Sequence, residues 1–254
     1  MTNQATIEKM QQMKFTGMIN AFQTTMETNF ANNFTADELI AYLVDAEWDD
    51  RHNRKLARLL KVANFRYQAS FEQIDFTKKR NLDKNLILRL ANCDWLKKAE
   101  NILMTGPTGV GKSFIACALG HQAALDGFKV QYFNCIKLFS KLKYAKADGT
   151  YVKELKKIEN QNLLILDDFC LHPIDEQSKF ILLEIMEDRY AKSSTVITSQ
   201  FPIKNWYDII ANPTVVDAIC DRLIHNAYKI DLEGGSMRKT KKIHSGSKLP
   251  PGSN

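Results

Sequence analysis

Eight consecutive residues, Gly106-Pro107-Thr108-Gly109-Val110-Gly111-Lys112-Ser113, match the pattern Gly-x-x-x-x-Gly-Lys-Ser/Thr. Gly106, Gly109 and Gly111 give the backbone the freedom to turn successive N–H groups inward around an anion. Lys112 adds a positive charge for phosphate. Ser113, at the predicted start of a helix, offers a hydroxyl to Mg²⁺ where the helix N-terminus favours the anion. The chemistry implied is the binding of a nucleoside triphosphate, ATP, with Mg²⁺. The flanks suit it, because an apolar run, Asn-Ile-Leu-Met-Thr, precedes the motif and Phe-Ile-Ala-Cys-Ala-Leu-Gly follows it.

A second apolar run, Leu163-Leu-Ile-Leu166, ends in Asp167-Asp168. A buried strand that delivers two carboxylates at its C-terminal end is what a Mg²⁺ and water site requires. Asp167 is expected to hold the metal with Ser113, and Asp168 to orient the attacking water as general base, with a shorter reach than a glutamate. A third run, Thr195-Val-Ile-Thr-Ser-Gln200, carries polar residues at its end, and either Ser199 or Gln200 could sense the terminal phosphate. Val215, Ile219 and Leu223 form the apolar side of a predicted helix and leave Arg222 exposed, a candidate arginine finger for a neighbouring subunit. Arg238, in Gly-Gly-Ser-Met-Arg, is a candidate sensor-2 arginine.

These residues need elements to hold them. From residue 99 onward short apolar runs alternate with helical segments, the signature of a parallel α/β sheet. The predicted strands are Asn101–Thr105, Lys129–Phe133, Leu163–Leu166, Val196–Thr198 and Ala227–Ile230. Residues 1–71 read as a helical domain, with apolar positions at three and four spacing and a capping box at Thr35-Ala-Asp-Glu38. Residues 72–98 read as a connector that docks aromatics on the larger domain, 99–236 as the ATPase domain, and 237–254 as a basic, disordered tail. The fold class expected is α/β, a P-loop NTPase with a parallel sheet flanked by helices behind a small helical domain. Trp48, Trp95 and Trp206 read as core or docking residues.

With 254 residues, 44% hydrophobic and 25% charged, the chain has the composition of a globular protein. Its five cysteines lie far apart with no Cys-x-x-Cys pair, which argues against a zinc site and for reduced thiols. No run approaches eighteen apolar residues and no signal peptide opens the chain, so a soluble, cytoplasmic protein is expected. The net charge of +6 suits an acidic partner. Arg51, Arg54, Lys55, Arg58, Lys61 and Arg66 recur at helical spacing with no acid among them, which makes a basic stripe. Such a stripe is either a solvated face or a row of phosphate contacts on duplex DNA.

Taken together, GPTGVGKS, LLILDDF, TVITSQFP, DRLIHNAYKI and GGSMR resemble the IstB-like ATPases, the transposition helpers of IS21-type insertion sequences. Gly17-Met18, Asp45-Ala-Glu47, Arg51-His-Asn-Arg54, Ile74-Asp-Phe76 and Asp94-Trp95 extend the likeness over nearly the whole chain. The resemblance implies an AAA+ ATPase of the DnaA/DnaC branch that oligomerises on duplex DNA and recruits or stimulates a partner transposase. It also favours DNA contact over solvation for the stripe. Departures from the family pattern fall at Ser113, where threonine is commoner, at Phe169-Cys170, where leucine-glycine is usual beside Asp168, and at Gln200, where asparagine is commoner. A DnaC-like helicase loader is the alternative, and a small-molecule P-loop kinase a more distant one.

Overall fold

The computed structural model describes residues 3–28 and 34–237. In chain order the helices and strands are α1 (Asn3–Gln12), α2 (Thr16–Glu27), α3 (Ala36–Ala63), α4 (Lys84–Ala91), α5 (Asp94–Lys97), β1 (Asn101–Thr105), α6 (Lys112–Leu125), β2 (Val130–Asn134), α7 (Cys135–Ala147), α8 (Tyr151–Glu159), β3 (Leu163–Phe169), α9 (Glu176–Arg189), β4 (Ser194–Ser199), α10 (Trp206–Ile210), α11 (Pro213–Ile224) and β5 (Ala227–Asp231). The strands pair in parallel in the order β2-β3-β4-β1-β5. Parallel pairing needs crossover helices, and these cover both faces of the sheet.

The strands at the centre are therefore apolar in their middles on both faces, and Leu163, Leu164, Ile165 and Leu166 are all fully buried. Alternation sends Ile102, Ile165 and Val196 to one face, where Ile115, Ala116 and Leu119 of α6 pack on them. Leu103, Leu164 and Ile197 point to the other, against Leu138 of α7, Ile181 and Ile185 of α9 and Ile219 of α11. A buried Leu or Ile of this kind contributes about 1.5–3 kcal/mol. Arg189 is also buried there, donating to the carbonyls of Ile158, Gln161 and Ser194 and so closing the end of α8 against the start of β4.

The chain divides into two compact units, Met1–Arg58 and Leu59–Asn254, so the division falls inside α3 and not at residue 71. The segment read as a connector carries α4 and α5, and its Ile87, Leu90, Trp95 and Leu96 are buried in the same core as α6. In the first unit Gly17 of α2 meets α3 so closely that a Cβ there would lie 2.3 Å from the Ala46 carbonyl. The Met18 amide donates to Glu47, 3.2 Å away. Thr35 and Glu38 do open α3, through Thr35 N and Oγ1 each donating to Glu38 Oε2 at 2.8 Å. Trp95 and Trp206 are core residues, whereas Trp48 is 63% exposed and stacks on His52, its neighbour one helical turn on. No described helix is long and apolar enough to cross a membrane.

Candidate nucleotide-binding site

The loop between β1 and α6 takes the conformation its glycines allow. Gly106, Gly109 and Gly111 lie at φ +138°, +91° and +103°, a region that costs an L residue roughly 1 kcal/mol or more. Space forbids side chains as well. A Cβ on Gly106 would meet the Leu232 carbonyl at 2.1 Å, and one on Gly109 the Ser236 hydroxyl at 2.4 Å. The segment that follows β5 thus seals one flank of the loop, and the Met237 amide donates to the Gly109 carbonyl at 2.9 Å. Arg238 lies outside the described residues. Arg80 seals the other flank, buried and donating to the Val110 and Asp75 carbonyls, each at 2.8 Å. Lys112 Nζ donates to the Gly106 and Pro107 carbonyls at 2.6 and 2.9 Å, which holds its charge within the loop.

Opposite the loop, β3 delivers the two acids. Asp167 is fully buried. Its Oδ1 accepts from Ser113 Oγ at 2.7 Å and from the Thr198 hydroxyl, and its Oδ2 accepts from the Tyr132 hydroxyl and from Arg66 at 3.2 Å. Burial pushes this carboxyl up, but the hydrogen bonds from Thr198, Tyr132, Ser113 and Arg66 outweigh it and hold the group below the ordinary aspartate range. Tyr132 moves the other way, raised by burial and by its bond to Asp167. An ionised carboxylate beside a serine hydroxyl at the start of α6 is a hard oxygen donor set, and Ser113 and Asp167 fit Mg²⁺.

Asp168 sits in a bulge, where the pairing of β3 with β4 shifts between Leu166 and Phe169. It takes φ +56°, which turns its side chain out of the alternating pattern, and its carboxylate accepts from Asn134 Nδ2 at 3.0 Å and Arg66 at 3.3 Å. Cys170, where the resemblance leads one to expect glycine, is itself at φ +54°. The unusual Phe169-Cys170 pair therefore keeps a turn there. Phe169 is buried edge-on to Trp206, with ring centroids 4.7 Å apart.

Several expected residues lie elsewhere than their spacing suggests. The Ser199 hydroxyl donates to the Phe169 carbonyl at 2.9 Å and accepts from the Phe201 amide at 3.2 Å, on the sheet face away from α6. The hydroxyl that reaches the acids from β4 is Thr198. Gln200, just past β4, is half-buried. Arg222 is not exposed as expected: its side chain is 26% accessible, pairs with Glu187 of α9 at 2.8 Å and donates to the Ala218 carbonyl at 2.7 Å.

Arg66 also leaves its expected place. The helix α3 ends at Ala63 and Asn64 takes φ +53°, so Arg66 stands off the basic stripe and at the two acids. Of the residues that remain on α3, Arg51 pairs with Glu47 at 2.6 Å and Arg54 with Asp50 at 2.7 Å, acids that lie just upstream of the stripe. Lys55, Arg58 and Lys61 are exposed. Met13, Lys14, Arg51, Arg54, Lys55 and Arg58 line one shallow groove of the first unit.

Tyr132, Asn134 and Thr198 escaped the sequence reading. One signal was there: all three lie at or near the C-terminal ends of predicted strands, where ligands of parallel sheets bind. All five cysteines are buried and free, and no cluster of metal-ligating His, Cys, Asp or Glu occurs among the described residues.

Comparison with known proteins agrees with this geometry. A protein described as insertion sequence ATP-binding protein y4pL, from Sinorhizobium fredii, is 43% identical over 240 residues, covering 94% of this chain and 98% of its own length. The IS1162 ATP-binding protein of Pseudomonas fluorescens is 37% identical over 203 residues, with 80% and 88% covered. Among solved structures, DnaI matches with a TM-score of 0.55 at 21% identity, over 70% of this chain and 92% of that one. The DnaC helicase loader matches with a TM-score of 0.51, also at 21% identity, over 62% and 94%. The second pair shows the fold, a parallel sheet covered by helices. The model of the IstB-like ATP binding protein family matches residues 8–245, and the chain belongs to that family.

Proposed function

We propose that this chain is an ATP-dependent, DNA-binding helper of transposition. It binds ATP with Mg²⁺, assembles as a homo-oligomer on duplex DNA, recruits or stimulates a partner transposase, and resets by slow hydrolysis of ATP to ADP and phosphate. The observation that carries the reading is the contact of Ser113 with Asp167 at the mouth of the positive-φ glycine loop, in a chain that belongs to a family of ATP-binding proteins of insertion sequences.

The chain's own residues divide the work. The loop amides from Gly106 to Ser113 and Lys112 bind phosphates, the loop being held open by Leu232 and Ser236 on one side and Arg80 on the other. Ser113 and Asp167 hold Mg²⁺, which when bound neutralises phosphate charge and polarises the terminal phosphoryl group. Asp168 orients water as general base, its carboxylate steadied by Asn134. Of the two sensor-1 candidates, the Ser199 hydroxyl is taken up by Phe169 and Phe201, which leaves Gln200 for the role, and Arg238 is the sensor-2 candidate. Arg222 serves a neighbouring subunit once it leaves Glu187.

DNA contact falls to the groove on α3. Arg51 and Arg54 already share charge with Glu47 and Asp50, so Lys55, Arg58 and Lys61 are the stronger phosphate donors. Such contacts bind any duplex alike, as an assembly factor with little sequence preference requires.

The experiment is the mass distribution of the purified protein on a random-sequence duplex, with and without ATP, beside Lys112→Ala. Large complexes that need both DNA and ATP, and that the variant fails to form, support the reading. A protein that ignores duplex DNA at low salt with ATP present refutes it and turns attention to a helicase partner.

A further inference from the structure

Three residues in a row, Phe65-Arg66-Tyr67, join α3 to the ATPase core, and their side chains are used differently. The Phe65 ring packs on Gly120 of α6 so closely that a Cβ there would meet it at 2.6 Å. Tyr67 packs on Phe114, with ring centroids 6.3 Å apart. Both aromatics dock on α6, the helix whose first two residues are Lys112 and Ser113. The backbone of Arg66 is therefore anchored to the phosphate-binding helix itself.

Its tip is held less firmly. The Arg66 side chain is 40% exposed, and one nitrogen makes two long contacts, 3.2 Å to Asp167 Oδ2 and 3.3 Å to Asp168 Oδ2. The guanidinium carbon stands 5.4 Å from the Tyr67 ring centroid. It is thus the counterion of both acids, on an arm with room to move.

The other oxygen of Asp167 is on Ser113. A divalent cation held by that pair brings like charge up to the guanidinium and weakens its hold on the acids. With ATP, the cation arrives together with a terminal phosphate, and a guanidinium matches phosphate oxygens in a two-pronged geometry that a lysine lacks. With ADP, the cation arrives and that anion does not.

On this basis, and resting on the ATP-binding reading above, we propose that Arg66 is a γ-phosphate sensor supplied in cis: it neutralises Asp167 and Asp168 when no triphosphate is bound and transfers to the terminal phosphate of ATP when one is. The consequence is a preference for ATP over ADP in the single chain, independent of DNA and of any neighbouring subunit. It also separates Arg66 from Lys55, Arg58 and Lys61, which serve no nucleotide.

The test measures equilibrium binding of ADP and of a non-hydrolysable ATP analogue, both with Mg²⁺ and without DNA, by competition with a fluorescent nucleotide. The proteins are wild type, Arg66→Ala, Arg66→Lys and Lys112→Ala, each checked for folding by its melting transition. The wild type should prefer the triphosphate, and Arg66→Ala should lose that preference by about 10- to 100-fold, the worth of a hydrogen bond to a charged group. Its ADP affinity should hold or rise, because the acids are released for the cation. Arg66→Lys should fall between the two, and should carry the comparison if the alanine variant does not fold. A triphosphate-to-diphosphate ratio unchanged in the folded variants, or no preference in the wild type, overturns the proposal. Failure of the wild type to bind either nucleotide, or binding undiminished in Lys112→Ala, sinks the nucleotide reading itself and the Arg66 proposal with it.

Discussion

Thr198→Val removes one hydroxyl and almost no volume, at a residue that is 1% exposed. The hydroxyl donates to Asp167 Oδ1 and accepts from the Asp168 amide at 3.3 Å. The first bond has a charged acceptor and is worth about 1.5–3 kcal/mol, while the extra buried methyl returns at most about 0.8 kcal/mol. The second bond is long and adds little. A net loss of about 2 kcal/mol should lower the melting temperature by about 4–8 °C in a domain of this size. Acid should narrow the gap. Asp167 is depressed in the folded chain, against the upward push of burial, with the bond from Thr198 the largest of those holding it down. A depressed carboxyl contributes stability that is present above the ordinary aspartate value, about 3.9, and lost as pH falls through the lower folded value. The variant keeps less of that contribution at neutral pH, so it has less to lose in acid. Its ATPase turnover should fall about tenfold, because the metal-holding oxygen loses a support. Ser199→Ala is the paired measurement, costing about 1 kcal/mol for a hydrogen bond on the far face and leaving turnover within a factor of two. Calorimetry and a phosphate-release assay on both variants decide the matter. Wild-type turnover in Thr198→Val beside a loss in Ser199→Ala would refute the reasoning, since it would place the working hydroxyl on the other side of the sheet.

Three further outcomes follow from particular side chains. Arg222→Ala should cost under about 1 kcal/mol in denaturant unfolding, since its partner Glu187 is half exposed, and should keep ATP binding while losing DNA-stimulated hydrolysis; full turnover in a stimulation assay would move the finger elsewhere. Replacing Lys55 and Arg58 by alanine should weaken binding to all duplexes alike and reduce the slope of affinity against salt by about one for each phosphate no longer neutralised. An unchanged slope in a titration from low to high salt would remove α3 from the DNA surface. Asp175, the N-cap of α9, is lowered from 3.8 to about 2 by its bond from Lys143, with Ser178 adding to the effect. Its contribution is therefore complete above pH 3.8 and lost as pH falls toward 2, so Asp175→Asn should flatten the acid limb of the unfolding curve in that window and leave a wild-type slope nowhere within it.

Local features of the chain were legible without the fold. The glycine loop announced itself because positive φ and backbone N–H geometry are properties of a short stretch of residues, and Gly106, Gly109 and Gly111 carry them wherever the loop sits. The strands were legible for a similar reason: a sheet covered on both faces demands apolar residues at every position, and Leu163 to Leu166 satisfy that within one run. Asp167 and Asp168 followed as the residues that end the run. The family resemblance rested in part on these same stretches.

What surrounds the acids was decided by tertiary structure. Tyr132 and Asn134 reach them because β2 lies beside β3, and Thr198 because β4 lies on the other side, an order that the sequence of elements does not state. Ser199 and Thr198 differ by one position, and only the side of the sheet that α6 covers tells which hydroxyl meets Asp167. Glu187 lies 35 residues from Arg222, and Asp167 lies 101 from Arg66. A basic stripe counts charges along one helix, but Asn64 turns the chain out of α3 before Arg66, and the aromatics on either side dock it on α6. Local propensity sets what each segment forms; which charges then share a site is set by packing between segments distant in the chain, where burial makes every unpaired polar group costly enough to select its partner.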